Sequence, residues 1–429
     1  MYGFWPCIWI FAVPLLWALQ DKPLLKRLAY GFVWGLCAYG LMAQGLIKIS
    51  PAAFLGFTLA LSIQAIIFAV FAKSTGRWWG DVLCFSLLWS ASELVRNYLL
   101  GGFSFYISHA QAFCPTMLRL YGVFGCLGMS FIIFLVNSFI YAAIKYKKLR
   151  FKMIALASMI FLGVAGCGFI KIPADPQKVC TLRVSVIQAN ISPWEKGDLA
   201  LFDHIASLHL KLTERSFEQY HPDLVIWPET AFPDDLLQSN EWRPPIFAEA
   251  RHMNADMLLG IAPIVDGKEY NSALLINAKG LVGGLYHKQA LVPFAETTPF
   301  EEWGIQWGRG YHFIAGNKPG IFKLSHQPLL FGVVICSESA HPCLVRQLRR
   351  AGADFLVEIS NDGWFSDKAS YMLHAQAAIM RAVENHMWVI RAANTGFSFA
   401  VDPNGIIHAD RNIKLGKEGF GIFDIIISR

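Results

Sequence analysis

Phe331-Gly332-Val333-Val334-Ile335-Cys336-Ser337-Glu338 is the stretch on which the reading of this chain turns. An apolar, β-branched run of that length predicts a buried strand. It stops at a cysteine, so Cys336 sits at the strand's end, where a loop can present a thiol to a substrate. A carboxylate follows two residues later, at Glu338. Taken alone, such a cysteine reads as a buried structural thiol sooner than as a nucleophile, because unpaired cysteines are among the most buried residues. Its partners have to decide.

Working outward, the region from 173 onward alternates strand and helix patterns. A polar linker, Pro173 to Lys178, precedes a predicted strand at Thr181 to Gln188 and an amphipathic helix at Leu199 to Tyr220. A strand at Leu224 to Trp227, a helix near 245 to 253, a strand at Met257 to Ile261 and a hairpin from Ser272 to Leu285 follow. After the 331 to 335 strand come a helix at 341 to 351, a strand at 354 to 359, a helix at 371 to 387, a strand at 388 to 393 and a last hairpin from 397 to 424. This alternation predicts an α/β layered sheet domain.

Two further strand ends carry ionisable groups. Glu229 follows Leu-Val-Ile-Trp-Pro, where proline restricts the local backbone. A carboxylate so placed can act as a general base toward a thiol, or can be an ordinary turn carboxylate. Lys288 follows the hairpin strand in Tyr-His-Lys-Gln-Ala-Leu-Val-Pro-Phe-Ala-Glu. It reads as a surface ammonium or, if buried, as a group that lowers a thiol's pKa and stabilises an oxyanion.

The first 172 residues are of another kind. The whole chain is 55% hydrophobic and 16% charged, too apolar for a wholly soluble protein of this length. Six apolar segments lie near 4–19, 28–49, 51–72, 78–100, 116–143 and 151–171, most close to the ~20 residues that cross a bilayer as a helix. Before residue 173 there are 14 basic and three acidic residues, and after it 23 basic and 28 acidic. The net +6 therefore hides a basic first part and an acidic second, and gives no nucleic-acid signal.

Lysines and arginines near span ends collect on the cytoplasmic side. Lys22, Lys26 and Arg27 follow the first segment, Lys73 and Arg77 the third, and Lys145, Lys147, Lys148, Arg150 and Lys152 the fifth. These loops are expected inside, which puts everything after the sixth segment outside. Glu93 and Arg96, three apart on one helical face, should point into the bundle, as a structural ion pair or as a lining of the substrate path. Gly122, Gly125 and Gly128 form a small-residue stripe expected to let helices approach closely. Cys336 and Cys343 are not expected to pair, and no Cys/His cluster has zinc-ligand spacing.

Glu229, Lys288 and Cys336, in that order on three strand ends, resemble the nitrilase superfamily. Trp-Pro-Glu-Thr, Tyr-His-Lys-Gln-Ala-Leu-Val-Pro-Phe-Ala-Glu, Ile-Cys-Ser-Glu and Ser-Asn-Asp-Gly-Trp-Phe (360–365) are similar to its apolipoprotein N-acyltransferase branch. Gly-Phe-Ser-Phe (102–105) and Gly-Val-Phe-Gly-Cys-Leu-Gly-Met-Ser-Phe (122–131) extend the likeness into the membrane half. The resemblance implies a multi-span α-helical membrane domain, 1–172, followed by an extracytoplasmic nitrilase-like α-β-β-α sandwich, 173–429, multi-pass in a bacterial inner membrane with the catalytic part on the periplasmic side. It further implies Cys336 as acyl-accepting nucleophile, Glu229 as general base, Lys288 as oxyanion stabiliser, Glu296 and Glu338 as supporting carboxylates, and Trp194 as the lid tryptophan that contacts substrate. The implied donor is a phospholipid and the acceptor a diacylglyceryl apolipoprotein, with neither cofactor nor metal.

Departures from the pattern accompany the likeness. Ser337 stands where the family usually has tyrosine. The family generally carries a further apolar segment before a stretch like Gly3-Phe4-Trp5-Pro6 and a further span beyond the position of Ser428-Arg429. The competing expectations are a membrane-bound amidase or nitrilase that hydrolyses its thioester, and a non-catalytic homologue that binds lipid.

Overall fold

The computed structural model describes residues 2–48, 51–169, 179–232, 234–293, 295–297, 312–365, 368–410 and 413–428. Two units divide the chain, one of Met1–Ile172 with Phe365–Gln376, the other of Pro173–Trp364 with Ala377–Arg429.

The first unit is helical. Its principal helices are Leu24–Ala43, Pro51–Phe71, Trp78–Leu99, Tyr121–Lys145 and Arg150–Cys167. Leu15, Leu16, Phe68, Trp89, Phe134 and Tyr141 form its centre, where the Trp89 and Phe134 rings stack at 4.6 Å. Leu25, Leu41, Phe71, Phe151 and Leu162 are exposed, as expected of helices whose outer faces meet hydrocarbon rather than water.

Among the described residues four helical stretches are long and apolar enough to cross a membrane: Leu24–Ile47, Pro51–Phe71, Tyr121–Lys145 and Lys147–Cys167. Two of the six expected segments thus fall short. Trp78–Leu99 has the length but holds Asp81, Glu93 and Arg96, all buried. The first is divided into Tyr2–Trp9 and Val13–Ala18.

Glu93 and Arg96 do face the interior, where they hold backbone. Glu93 Oε1 accepts from the Ile107 amide at 2.8 Å. The Arg96 guanidinium donates to Gln64 Oε1 at 2.5 Å, to Asn97 Oδ1 at 2.9 Å and to the Phe105 carbonyl. Within the expected glycine stripe, Gly128 is not a point of close approach between helices. Gly125 leaves helical geometry at φ 65, and a Cβ on Gly128 would meet only Phe124 of its own helix. Close approach occurs instead where Gly31 and Gly35 lie against Ala69 and Ser62 of Pro51–Phe71.

The second unit is a sandwich of two six-stranded sheets. Gly419–Ser428, Val179–Gln188, Leu224–Ile226, Asp256–Ile261, Ser272–Ile276 and Val282–His287 lie side by side in the first. Ile407–His408, Phe399–Val401, Trp388–Ala393, Phe355–Ser360, Leu330–Ile335 and Ile321–Lys323 form the second. Their facing sides close one core, with Val184, Ile226 and Leu258 from the first against Val333, Val357 and Ile390 from the second. The outer face of the first sheet is covered by Phe202–Tyr220 and Arg243–Met253, through Ala206, Leu212, Ile246 and Ala250. On the second, Leu348 of Pro342–Arg350 lies over Gly332. The layers are therefore α-β-β-α. The parallel pairs Val184–Val186 with Leu224–Ile226, and Phe331–Ile335 with Phe355–Ile359, require crossovers long enough to hold those helices.

The expected last hairpin is shorter than its 397–424 span, with Phe399–Val401 turning back antiparallel onto Ile407–His408. Phe399–Val401 pairs with Trp388–Ala393 in the second sheet, whereas Gly419–Ser428 runs antiparallel to Val179–Gln188 in the first, Val179 opposite Ser428 and Gln188 opposite Gly419. Both segments alternate as strands. Nothing local distinguishes pairing with a sequence neighbour from pairing across the sandwich, and the burial of Phe423, Ile425 and Ile427 in the common core selects the second.

Candidate active site

All three expected residues stand just beyond the C-terminal ends of strands. Glu229 lies three residues after Leu224–Ile226 in a turn of unusual backbone, since the next residue, Thr230, has φ 45. The turn presses on Gly260 of the neighbouring strand. A Cβ there would come within 2.2 Å of the Pro228 carbonyl and 2.7 Å of Glu229 Cα. Cys336 follows Leu330–Ile335 directly and itself has φ 55, a conformation disfavoured for residues with a side chain, often found at functional sites, and worth ~1–3 kcal/mol of strain. Half-buried, it turns out of the strand. Neither it nor the exposed Cys343 is in a disulfide.

Lys288 joins these elements. Its amide donates to the Asn271 carbonyl, and its own carbonyl accepts from Gly316, both at 2.8 Å. The ammonium is almost wholly buried and lies 2.8 Å from Glu296 Oε1 and 3.5 Å from Glu229 Oε1. Asn271 Nδ2 donates to the same two oxygens, at 2.9 and 2.8 Å. One ammonium and one amide thus share two carboxylates that would otherwise repel each other. Burial pulls the lysine's pKa down, but Glu296, Glu229 and the nearby Cys336 more than offset it, and the net shift is upward. The site therefore keeps a fixed positive charge.

Glu338 serves a different end. Fully buried, it accepts from the Tyr286 hydroxyl at 2.8 Å and from the Gln289, Ala290 and Ile335 amides at 2.6, 3.1 and 2.8 Å. One carboxylate thereby ties the backbone next to Lys288 to the backbone next to Cys336. Burial raises its pKa against the opposing pull of Lys288 and these amides. Glu296 Oε2 also accepts from the Val292 amide at 2.8 Å, which fixes the side chain that meets the lysine. Ser337 is buried.

The structure therefore brings Glu229, Lys288, Glu296, Cys336 and Glu338 together. Trp194 is 82% exposed, and its ring partner is Trp364, edge to face at 6.0 Å. Sequence reasoning missed Asn271, a lone asparagine before a strand with no motif to announce it. It also missed Lys196, buried at 3% exposure, which donates to the Glu229 carbonyl at 2.9 Å. Among the described residues no three His, Cys, Asp or Glu side chains are grouped as a metal ion would need. A thiol beside a fixed cation and a hydrogen-bonded carboxylate is suited to covalent acyl transfer.

Comparisons with known proteins agree over the length of the chain. Residues 1–139 match the apolipoprotein N-acyltransferase N-terminal domain, and residues 183–425 the carbon-nitrogen hydrolase family. An apolipoprotein N-acyltransferase of Rhizobium meliloti is 30% identical over 96% of this chain and 77% of its own. That of Geobacter metallireducens is 28% identical, over 94% and 82%. A solved amidase from Nesterenkonia sp. is 20% identical over 57% of this chain and 90% of its own, with a TM-score of 0.44.

Proposed function

Because the chain belongs to the apolipoprotein N-acyltransferases, within the carbon-nitrogen hydrolases, we propose that it moves an acyl chain from a membrane phospholipid, through a thioester on Cys336, to the α-amino group of an apolipoprotein's N-terminal diacylglyceryl-cysteine. The enzyme is an acyltransferase of the membrane, acting on lipoproteins. The Cys336 thiol attacks the donor's ester carbonyl and its proton passes to Glu229. Lys288 faces the tetrahedral oxyanion. Collapse expels the lysophospholipid alkoxide, which takes the proton from Glu229, and leaves the thioester. In the second half the amine attacks the thioester, Glu229 accepts its proton, and the departing Cys336 thiolate takes that proton from Glu229, which restores both groups.

The observation that carries this reading is the buried Lys288 held between Glu229 and Glu296, with Cys336 at the end of Leu330–Ile335 in the facing sheet. Lipid substrates account for the apolar helices, which form a membrane domain over 1–172. The remaining part, 173–429, is the catalytic domain on the periplasmic side of the inner membrane.

The experiment supplies purified protein in phospholipid vesicles with an acyl-labelled donor and a diacylated lipopeptide. Label should reach the lipopeptide amine. With donor alone, mass spectrometry should find an acyl adduct on Cys336, absent from Cys336→Ala. Release of the label as free fatty acid, equally with and without lipopeptide, would instead identify a hydrolase.

A further inference from the structure

We infer that Lys196 is a positioning residue for the base: its buried ammonium fastens the loop bearing Trp194 to the backbone turn that carries Glu229. The inference rests on the reading of Glu229 as the base.

Lys196 lies in the short Glu195–Gly197 turn, two residues after an exposed tryptophan, yet is itself only 3% exposed. Its Nζ donates to the Glu229 carbonyl at 2.9 Å and to Thr230 Oγ1 at 3.4 Å. Burying an ammonium costs several kcal/mol unless polar groups compensate it. A lysine kept here is thus one whose partners matter, and both partners belong to the base's turn. Thr230, a β-branched residue in the left-handed region, holds its conformation only where neighbours over-determine it. Gly260 presses on the turn from one side, and the Lys196 ammonium holds its carbonyl and hydroxyl.

The start of the loop is fixed separately. The Asn394 side chain donates to the Ile191 carbonyl at 2.6 Å and accepts from the Ile191 amide at 3.2 Å. Between these two anchors, residues 192 to 195 carry Trp194. Lys196 is therefore the only charged side chain among the described contacts that joins this loop to the turn of Glu229.

The titratable groups facing Lys196 are Glu229 and, from the helix Phe202–Tyr220, His209. Burial lowers the lysine's pKa to about 7, with Glu229 opposing. Below that pH it is an ammonium. Removing a nearby cation makes a carboxylate harder to ionise, so the charge adds a second, readable effect.

The test is the rate of acyl-enzyme formation on Cys336 against donor concentration and pH, for wild type, Lys196→Met, Lys196→Arg and Glu229→Gln in vesicles. Lys196→Met should lose ~10- to 100-fold in saturating rate, as small misplacements of catalytic groups do, with donor KM nearly unchanged. Its acid limb should move to higher pH. Lys196→Arg, permanently charged, should leave that limb where it stands in wild type, whatever rate it retains. This second arm keeps the test decisive if the methionine variant fails to fold. A wild-type rate and limb in Lys196→Met would overturn the inference. So would an unmoved limb, or an effect confined to KM, which would make the loop a substrate contact. If Glu229→Gln acylated Cys336 at the wild-type rate, the reading of the base would fail rather than the anchoring of its turn.

Discussion

At the scale of single residues, the site is built to hold charge in place before substrate arrives. Lys288 is raised above the usual lysine pKa by two carboxylates that outweigh its burial. Its protonated form is thus bound more tightly in the folded state than in the unfolded one. The stabilisation it gives is present through neutral pH and is lost only on the alkaline side, as pH passes its folded pKa. Lys288→Met should cut the rate of acyl-enzyme formation by ~10²- to 10³-fold, the usual cost of one oxyanion donor, while donor binding changes little. Single-turnover kinetics read this directly. A methionine variant that acylates Cys336 normally but no longer binds donor would make Lys288 a head-group ligand instead. Lys288→Arg should not restore the rate, because a planar fork does not fit the space of a compact ammonium between Glu229 and Glu296.

Elements set the distances among these residues. The strands Leu224–Ile226 and Asp256–Ile261 are parallel neighbours, so the turn after the first passes directly over Gly260 of the second. Gly260→Ala would drive a methyl group into the Pro228 carbonyl and the Thr230 amide, and backbone cannot yield as a flexible side chain can. Overpacking of this kind costs ~1–3 kcal/mol. The variant should show a lowered unfolding midpoint and a larger loss in acylation rate than stability explains, whereas Gly197→Ala, with open space around it, should leave the midpoint unchanged.

The helix Phe202–Tyr220 offers a pH test. His209 is fully buried on it, packed on Trp227 at 4.8 Å between centroids. Burial, with Lys196 nearby, depresses its pKa to about 3. A depressed histidine gives stability that is present above its unfolded pKa near 6.5 and is lost as pH falls toward the folded value, at about 1.4 kcal/mol per pH unit. The catalytic unit's unfolding midpoint should therefore fall through that window, and His209→Phe should flatten the slope. An unchanged slope would show that His209 is not the group responsible.

At the scale of the whole molecule, the charge bias of the loops argues that Lys148 lies in the cytoplasm and Asp198 outside. In intact spheroplasts of an otherwise cysteine-free variant, a membrane-impermeant thiol reagent should modify a cysteine placed at 198 and spare one at 148. The opposite pattern would invert the orientation.

The sequence by itself determined the membrane-spanning character of the first part, the α/β alternation of the second, and the strand-end positions of Glu229, Lys288 and Cys336. These are legible because each rests on a local pattern: a run of apolar residues, a period, or a residue type where a strand stops. Only the tertiary structure decided which sheet receives Gly419–Ser428, that close helix approach falls at Gly31 and Gly35 rather than at Gly128, and that Asn271 and Lys196 brace the site. Those outcomes depend on which segments meet across distances along the chain that run from 25 residues, Asn271 to Glu296, to 249, Val179 to Ser428, and on which buried polar group finds a partner there. An asparagine before a strand or a lysine after a tryptophan looks the same in sequence whether it faces water or a buried carboxylate, and it is the burial that gives it its work.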